Sequence, residues 1–291
     1  MKYVTDFKDY KLLDTNNGEK LEKWGKYKLL RPDPLAIWNK EIDYNLWNNI
    51  DAHYHRNNKG GGYWEYNKEI PESFVIEYNN LKFKIGLMGF KHTGLFPEQA
   101  YNWNYYIKKI KNSKRKIKVL NLFAYTGGAT VACCYAGADV VHVDSSKGMN
   151  EWAKENLKLS NLENSYVRFI CDDVVKFVKR EIRRGNKYDA IIMDPPSYGR
   201  GSNGEVWSIE KNLYYLLELC EQLLSDNPLF VQINSYTSGL PITALKNALY
   251  YSIEKKHKGK IDADEIGIIQ NDYNILPCGL YARWGNIDDR G

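Results

Sequence analysis

Short apolar runs alternate with amphipathic stretches along the chain from about residue 115 onward. The runs have the length of buried strands, and the stretches between them have the spacing of helices. The predicted strands are 117–123, 139–143, 166–170, 189–193 and 228–234, and the predicted helices are 128–136, 147–158, 173–184, 208–225 and 241–254. Strands separated by helices predict an α/β fold with a doubly wound, mostly parallel sheet.

The last apolar runs, 265–269 and 279–284, have no helix between them. They predict a closing antiparallel pair, which brings the sheet to seven strands. Upstream of the sheet, a helix is predicted from Pro97, because proline is tolerated in a first helical turn, to about Lys111.

Residues 1–95 have a different pattern, rich in Tyr, Asn, Lys and Gly, with short alternating runs. Phe74–Tyr78 and Leu81–Ile85 flank Asn79-Asn80, and asparagine tolerates the left-handed turn of a hairpin. We therefore predict two domains: a small β-rich domain over 1–95, for accessory or substrate-recognition work, and an α/β catalytic domain over 96–291.

Composition limits the cellular setting. The 291 residues contain no apolar run of the roughly 18 residues that span a membrane, and the first residues lack the apolar core of a signal peptide. Five scattered cysteines predict a cytoplasmic protein with reduced thiols. The net charge of +5 suits an anionic partner, and it equally suits solvated helix faces.

A nucleoside site is predicted where the first two strands end. The first strand runs into Thr126-Gly127-Gly128 and a helix of small residues, and glycine allows the backbone to approach a ligand closely. Asp144 closes the second strand 17 residues after Gly127, where a carboxylate can accept hydrogen bonds from both ribose hydroxyls. The turn lacks the G-x-G-x-x-G that brings a helix against a pyrophosphate, which weakens a dinucleotide interpretation.

Two carboxylates follow the third strand. Either Asp172 or Asp173 can accept from the exocyclic amine of adenine, and we favour Asp173. The alternative is that the pair caps the next helix, since aspartate is a good N-cap residue.

The segment Asp194-Pro195-Pro196-Ser197-Tyr198 follows the fourth strand. Consecutive prolines fix an extended turn and remove amide donors, so the carbonyls can accept from a substrate amino group, and Tyr198 offers a face for stacking. Asp194, Pro195, Pro196 and Tyr198 are the predicted substrate-side residues.

No metal site is predicted. His53 and His55 alternate along one strand, but no carboxylate or cysteine has clear ligand spacing to them.

With these motifs in order, residues from about 115 to 240 resemble a class I S-adenosylmethionine-dependent methyltransferase. More narrowly, the segments 122–128, 143–146, 156–162 and 194–196 resemble the bacterial ribosomal-RNA large-subunit methyltransferase family. The resemblance implies a Rossmann-like fold, S-adenosyl-L-methionine as cofactor and the turn at 194–198 as the methyl-acceptor site. The implied cofactor contacts are Phe123, Ala124, Tyr125, Thr126, Gly127, Gly128, Asp144, Ser145, Ser146, Asp172 and Asp173.

The resemblance extends upstream to Lys91–Gln99, which looks like the segment that covers the methionine end of the cofactor in relatives. It implies that Thr93, Phe96 and Gln99 are lesser cofactor contacts. The alternative is a helix-entry loop packed on the sheet.

The chain departs from the family at residues 232–239, where members that methylate a cytosine carbon carry a cysteine nucleophile and this chain has none. The family's separate N-terminal RNA-binding module is not evident either. We therefore expect direct methyl transfer to a base nitrogen of RNA, with ribosomal RNA as the expected substrate. Two alternatives stay open: N-methylation of a protein side chain or small molecule, and a nucleoside-binding module without catalysis.

Overall fold

The computed structural model describes residues 1–57, 61–87, 89, 91–200, 204, 206–271 and 273–286. The chain divides into two compact units. The small unit comprises 3–100 and 267–278, and the large unit comprises 1–2, 101–266 and the chain from 279 onward. The N-terminal part expected to end at residue 95 thus continues to residue 100, and a second segment from near the C-terminus belongs with it.

The small unit is built from two sheets. Its elements are β1 Tyr10–Asn16, β2 Glu19–Trp24, β3 Tyr27–Pro32, α1 Tyr44–Trp47, β4 Ala52–Arg56, β5 Gly62–Tyr66, β6 Ser73–Tyr78 and β7 Leu81–Gly86. The first five strands form one sheet in chain order, antiparallel except where β3 and β4 pair in parallel. β6 and β7 form the predicted hairpin, with Asn79 at a φ of 53° in its turn.

Two polar contacts tie the distant segment into the small unit. The Gln270 side-chain nitrogen donates to Asp14 Oδ1 at 2.9 Å, and Thr15 Oγ1 donates to Gln270 Oε1 at 2.9 Å. Deeper in this unit, Arg31 Nε donates to the fully buried Glu22 at 2.6 Å. A buried carboxylate is costly without such a partner.

The large unit contains the predicted seven-stranded sheet. It is entered through a 3₁₀ turn at Pro97–Gln99 and α2 Ala100–Asn112. The further elements along the chain are β8 Lys118–Leu122, α3 Gly128–Tyr135, β9 Asp139–Asp144, α4 Lys147–Leu159, β10 Val167–Cys171, α5 Val174–Arg183, β11 Ala190–Met193, β12 Tyr198–Arg200, β13 Val206–Ser208, α6 Ile209–Glu221, β14 Phe230–Ser235, α7 Ile242–Leu249, a π-helical turn Tyr250–Glu254, β15 Lys260–Ile269 and β16 Ile275–Gly285. The last residues of β15, 267–269, and the first of β16, 275–278, are counted with the small unit. The sheet order is β10-β9-β8-β11-β14-β16-β15.

The first five strands of this sheet pair in parallel, and β16 joins β14 antiparallel. One buried core joins alternate residues of β8, β9, β11 and β14 to α5, α6 and α7. The fold class predicted from sequence, a Rossmann-like doubly wound sheet with a β-rich N-terminal part, is confirmed. In the described part of the chain, every helix is too short or too polar to cross a membrane.

Candidate active site

The order of the seven-stranded sheet reverses between β8 and β11. From β8 the chain continues to β9 on one side, and from β11 it continues to β14 on the other. In open α/β sheets, ligands bind at the carboxyl ends of the strands that flank such a switch. β8, β9 and β11 end at Leu122, Asp144 and Met193, so the predicted motifs all begin at this edge.

The loop after β8 adopts a strained backbone. Phe123 and Tyr125 have φ angles of 54° and 49°, and Gly127 has a φ of 82°. A left-handed conformation costs a non-glycine residue roughly 1–2 kcal/mol, so surrounding contacts must hold this loop in place. A Cβ on Gly127 would also lie 2.7 Å from the Cβ of Ala153 on α4. Glycine is therefore required here by both conformation and packing.

Asp144 joins two of the loops at this edge. Its Oδ2 accepts a hydrogen bond from the amide of Tyr125 at 2.8 Å, and its Oδ1 accepts from the amide of Ser146 at 2.8 Å. Burial raises the pKa of Asp144, while these two amides act in the opposite direction. Because each carboxylate oxygen has a second lone pair, the group can still accept from the two hydroxyls of a ribose.

Two asparagines on α4 donate side-chain hydrogen bonds to backbone carbonyls at the same edge of the sheet. Asn156 is fully buried, and its side chain donates to the Thr126 carbonyl at 2.9 Å. Asn150 donates to the carbonyls of Asp144 and Ile170 at 3.4 and 3.3 Å. Sequence reasoning placed Asn156 in a family-like segment but assigned neither residue a role, because an amide bonded to backbone carbonyls has no sequence signature.

A buried polar row lies behind the glycine loop. Asn121 on β8 donates to Thr130 Oγ1 at 2.9 Å, and Thr130 Oγ1 lies 2.9 Å from His142 Nδ1 on β9. Burial lowers the pKa of His142 to about 3, so the ring is neutral at physiological pH. The Cβ that Gly127 lacks would lie 3.5 Å from the His142 ring, which places this row directly against the turn.

The two carboxylates after β10 have different partners. Asp173 is the N-cap of α5, where its Oδ1 accepts from the Lys176 amide at 2.8 Å. Asp172 forms an ion pair with Arg180 and accepts from the Asp173 amide at 2.8 Å. Both side chains are half-buried and keep acceptor capacity, so the choice between them as the adenine contact stays a prediction.

The proline turn begins beside the end of β8. The Asp194 amide donates to the Leu122 carbonyl at 3.4 Å, which places Asp194 next to the start of the glycine loop. Pro195 is buried, whereas Pro196 is exposed and its carbonyl accepts from the indole nitrogen of Trp207 at 2.7 Å. The predicted carbonyl acceptors thus include one that already has an internal donor.

Trp207 contacts both the proline turn and the loop after β8. Besides donating to Pro196, its ring packs on the ring of Phe123, with centroids 5.0 Å apart. It lies on β13, which pairs with β12 in a short ribbon that begins at Tyr198. Sequence reasoning did not identify Trp207, because only the pairing of β12 with β13 brings it back to the proline turn.

The outer part of the turn is open to solvent. The Tyr198 side chain is 56% exposed, and its hydroxyl accepts from Arg200 Nε at 3.1 Å. Ser197 Oγ lies 2.7 Å from Thr237 Oγ1, which ties the turn to the loop after β14. An exposed aromatic ring beside a guanidinium suits contact with a planar, anionic partner.

Thr93, Phe96 and Gln99 belong to the small unit. Thr93 is fully buried, and its hydroxyl has no hydrogen-bond partner within the described ranges. Gln99 is buried in the 3₁₀ turn, and its amide donates to the Phe96 carbonyl at 3.1 Å. The role of these three residues as cofactor contacts stays a prediction.

The fold and the site define a class I methyltransferase architecture: a doubly wound sheet, a glycine turn with a ribose-type carboxylate at its switch, and a proline-fixed turn beside them. Comparison with known proteins agrees. A family model described as S-adenosylmethionine-dependent methyltransferase matches residues 50–246, more than half of the chain. The chain belongs to this family, and the predicted cofactor, S-adenosyl-L-methionine, is confirmed with it.

A solved structure shares the whole architecture. The SAM-dependent methyltransferase from Agrobacterium tumefaciens is 33% identical with a TM-score of 0.93, and the match covers 97% of this chain and 92% of that one.

Curated relatives include the ribosomal RNA large subunit methyltransferase K/L of Shewanella frigidimarina, 32% identical over 65% of this chain and 26% of that protein. The large subunit methyltransferase I of Salmonella arizonae is 34% identical over 45% of this chain and 32% of that protein. The matches to these two relatives thus span between about a quarter and a third of their length.

Proposed function

We propose that this protein transfers a methyl group from S-adenosylmethionine directly to a base nitrogen of RNA, with ribosomal RNA as the substrate and the cytoplasm as the place of action. The names of the two curated relatives support an RNA substrate, because both are called ribosomal RNA large subunit methyltransferases. The net charge of +5 is compatible with a polyanionic partner.

The observation that carries the proposal is the position of the proline turn. Asp194 leaves β11 directly beside Leu122, where β8 runs into the glycine loop. A base nitrogen that donates to the Asp194 carboxylate or the Pro195 carbonyl would therefore lie close to the cofactor loop. The hydrogen bond from Trp207 to the Pro196 carbonyl restricts the conformation of the turn. Less conformational entropy of the turn is therefore lost when the substrate binds.

Direct methyl transfer to a nitrogen depends on positioning of the acceptor and needs no covalent catalysis by the protein. S-adenosylmethionine supplies a methyl group on a sulfonium: the acceptor nitrogen lone pair forms the new N–C bond, and the C–S electron pair returns to sulfur. Asp194 orients the amino group and takes the proton that the nitrogen loses. A cysteine nucleophile is needed only for an unactivated ring carbon, and residues 232–239 contain none. A nitrogen acceptor fits this site better than a cytosine carbon.

Tyr198 and Arg200 suit the recognition of a single-stranded base. The exposed Tyr198 ring can stack on a base that has left its helix, and Arg200 can contact the adjoining phosphate. An amide side chain of a protein or a small amine would also fit the hydrogen-bonding groups of Asp194 and Pro195. That alternative, and a binding module without turnover, are separated from the proposal by experiment.

The test incubates purified protein and methyl-labelled S-adenosylmethionine with ribosomal RNA and, separately, with total protein, both from a strain that lacks the gene. Asp194→Asn should lower turnover by at least about a hundredfold while S-adenosylhomocysteine still binds. Asp226→Asn is the matched control, because Asp226 is exposed and lies before β14, at the opposite end of that strand from its carboxyl edge.

Label in RNA that disappears with Asp194→Asn but not with Asp226→Asn would support the proposal, and nucleoside digestion would name the methylated atom. Label found only in protein would replace RNA with a side-chain substrate. Cofactor binding with label in neither fraction would indicate a small-molecule acceptor or a module that does not turn over.

A further inference from the structure

The fold of the small unit brings together four side chains of metal-ligand type from three different strands. His53 and His55 lie on β4, Glu65 lies on β5, and Glu19 lies on β2. Because β4 and β5 are antiparallel with His53 opposite Glu65, the two histidines and this glutamate share one face. The sequence could not show this, since the register of the pairing decides it.

The distances place these groups in one cluster. One potential ligand atom from each of His53, His55 and Glu65 lies within 4.8 Å of the other two. His55 Nε2 lies 2.7 Å from Glu65 Oε2, His53 Nε2 lies 2.8 Å from Glu19 Oε1, and the two imidazole centroids are 3.9 Å apart. Two imidazolium rings at that separation would repel each other, whereas two neutral rings can share a cation.

We propose that His53, His55 and Glu65 bind one divalent transition-metal ion, with Zn²⁺ as the reference ion, and that Glu19 orients the His53 ring. Two imidazoles and a carboxylate form a common three-ligand zinc set, with the fourth position left to water. A carboxylate behind a ligating histidine is the usual second partner of such a ring. Imidazole nitrogen favours zinc, nickel or copper and disfavours magnesium and calcium.

The site is accessible and adjustable. The side chains are partly exposed, at 21% for His53, 32% for His55 and 58% for Glu65, so an ion can enter from solvent. Ligand atoms around zinc lie about 3.3 Å apart, given bonds of roughly 2.0–2.2 Å in a tetrahedron. Small side-chain rotations on the paired strands β4 and β5 can bring these groups to that spacing. A bound ion would then cross-link β4 and β5 through their side chains.

Calorimetry of the untagged 291-residue chain with ZnCl₂ tests the proposal, with MgCl₂ as the negative probe. We expect one Zn²⁺ per chain, no binding of Mg²⁺, and a melting temperature that rises with Zn²⁺ concentration, because an ion that binds only the folded state stabilises it. His55→Asn and Glu65→Gln should each weaken Zn²⁺ binding by about tenfold or more. Far-UV circular dichroism checks that both variants fold.

The matched control is His257→Asn. His257 Nε2 lies 3.1 Å from Glu221, so it is a histidine–glutamate pair of the same kind outside the cluster. Binding that survives in this variant and falls in the other two supports the site. Binding that is lost in His257→Asn, that is unchanged in Glu65→Gln, or that Zn²⁺ never shows in the wild-type chain would overturn it.

Discussion

Gly127 shows how one residue fixes the geometry of the cofactor loop. Its positive φ favours glycine, and its approach to Ala153 independently leaves no room for a side chain. The neighbouring Phe123 and Tyr125 also have positive φ, although they carry side chains. The bond from the Tyr125 amide to Asp144 helps to hold that strain.

Gly127→Ala should destabilise the protein and weaken S-adenosylhomocysteine binding, and Gly137→Ala separates the two causes. Gly137 has a φ of 92° but open space around its Cβ position, so alanine there costs only the backbone term of roughly 1–2 kcal/mol. Gly127→Ala should lower the free energy of unfolding by more than that, because its Cβ would also clash with Ala153. Chemical denaturation of the two variants measures both losses. The double variant Gly127→Ala/Ala153→Gly is compared with Ala153→Gly alone, which loses roughly 1 kcal/mol for a glycine inside α4. Against that background Gly127→Ala should cost no more than Gly137→Ala, and equal losses in the single variants Gly127→Ala and Gly137→Ala would contradict the packing argument.

At the residue scale, sequence predicts which groups can do chemistry and misses the groups that place them. The positions of Asp144 and Asp194 at the ends of β9 and β11 could be predicted, because a carboxylate after a buried strand is a recognisable pattern, while their roles stay predictions. Asn150 and the Thr130–His142 pair could not, because their partners are backbone carbonyls or residues on a neighbouring strand.

Among the elements, α5 is the one whose start has two competing explanations. Asp173 accepts from the Lys176 amide as a helix cap, and the same carboxylate was favoured as the adenine contact. Serine is also a good N-cap but carries no charge. Substitution at this one position can therefore separate the structural role from the cofactor role.

Asp173→Ser should keep the stability of the wild-type chain, and Asp173→Ala should lose about 1 kcal/mol, measured by urea unfolding. If Asp173 contacts adenine, Asp173→Ser should still weaken S-adenosylhomocysteine binding in calorimetry. Unchanged affinity with unchanged stability would show that Asp173 is a cap alone and would move the adenine contact to Asp172.

The strands of the large sheet were predictable because parallel strands buried on both faces are continuous apolar runs, as the fully buried β11 shows. The ribbon of β12 and β13 was not. Its strands have three residues each, too short for a hydrophobic period that would predict the pairing of Tyr198 with Ser208. Trp207, the residue that joins Phe123 to the proline turn, was missed for that reason.

Over the whole molecule, each unit contains a buried ionisable group that makes stability depend on pH. In the large unit, burial lowers the pKa of His142 to about 3. In the small unit, burial alone would raise the pKa of Glu22, but Arg31 and Lys20 lower it to about 2. In the folded protein, His142 and Glu22 each bind a proton less readily than they do in the unfolded chain. Acidification therefore favours the unfolded chain at both sites, and the free energy of unfolding falls.

The free energy of unfolding should therefore fall first as pH drops below about 6.5, where an unfolded histidine takes up its proton, and again below about 4.5 for Glu22. Urea titrations at a series of pH values measure this. His142→Gln should flatten the slope between pH 7 and 5, and Glu22→Gln should flatten it below pH 4.5. Slopes that neither substitution changes would contradict this account.

The small unit is assembled from two separate segments of the amino-acid sequence. Residues 267–278 belong with residues 3–100, and Gln270 bonds to Asp14 and Thr15 across more than 250 positions of sequence. A fragment that ends at residue 100 would therefore lack Gln270 and its bonds to Asp14 and Thr15, so we expect the small unit to need both segments for its full stability.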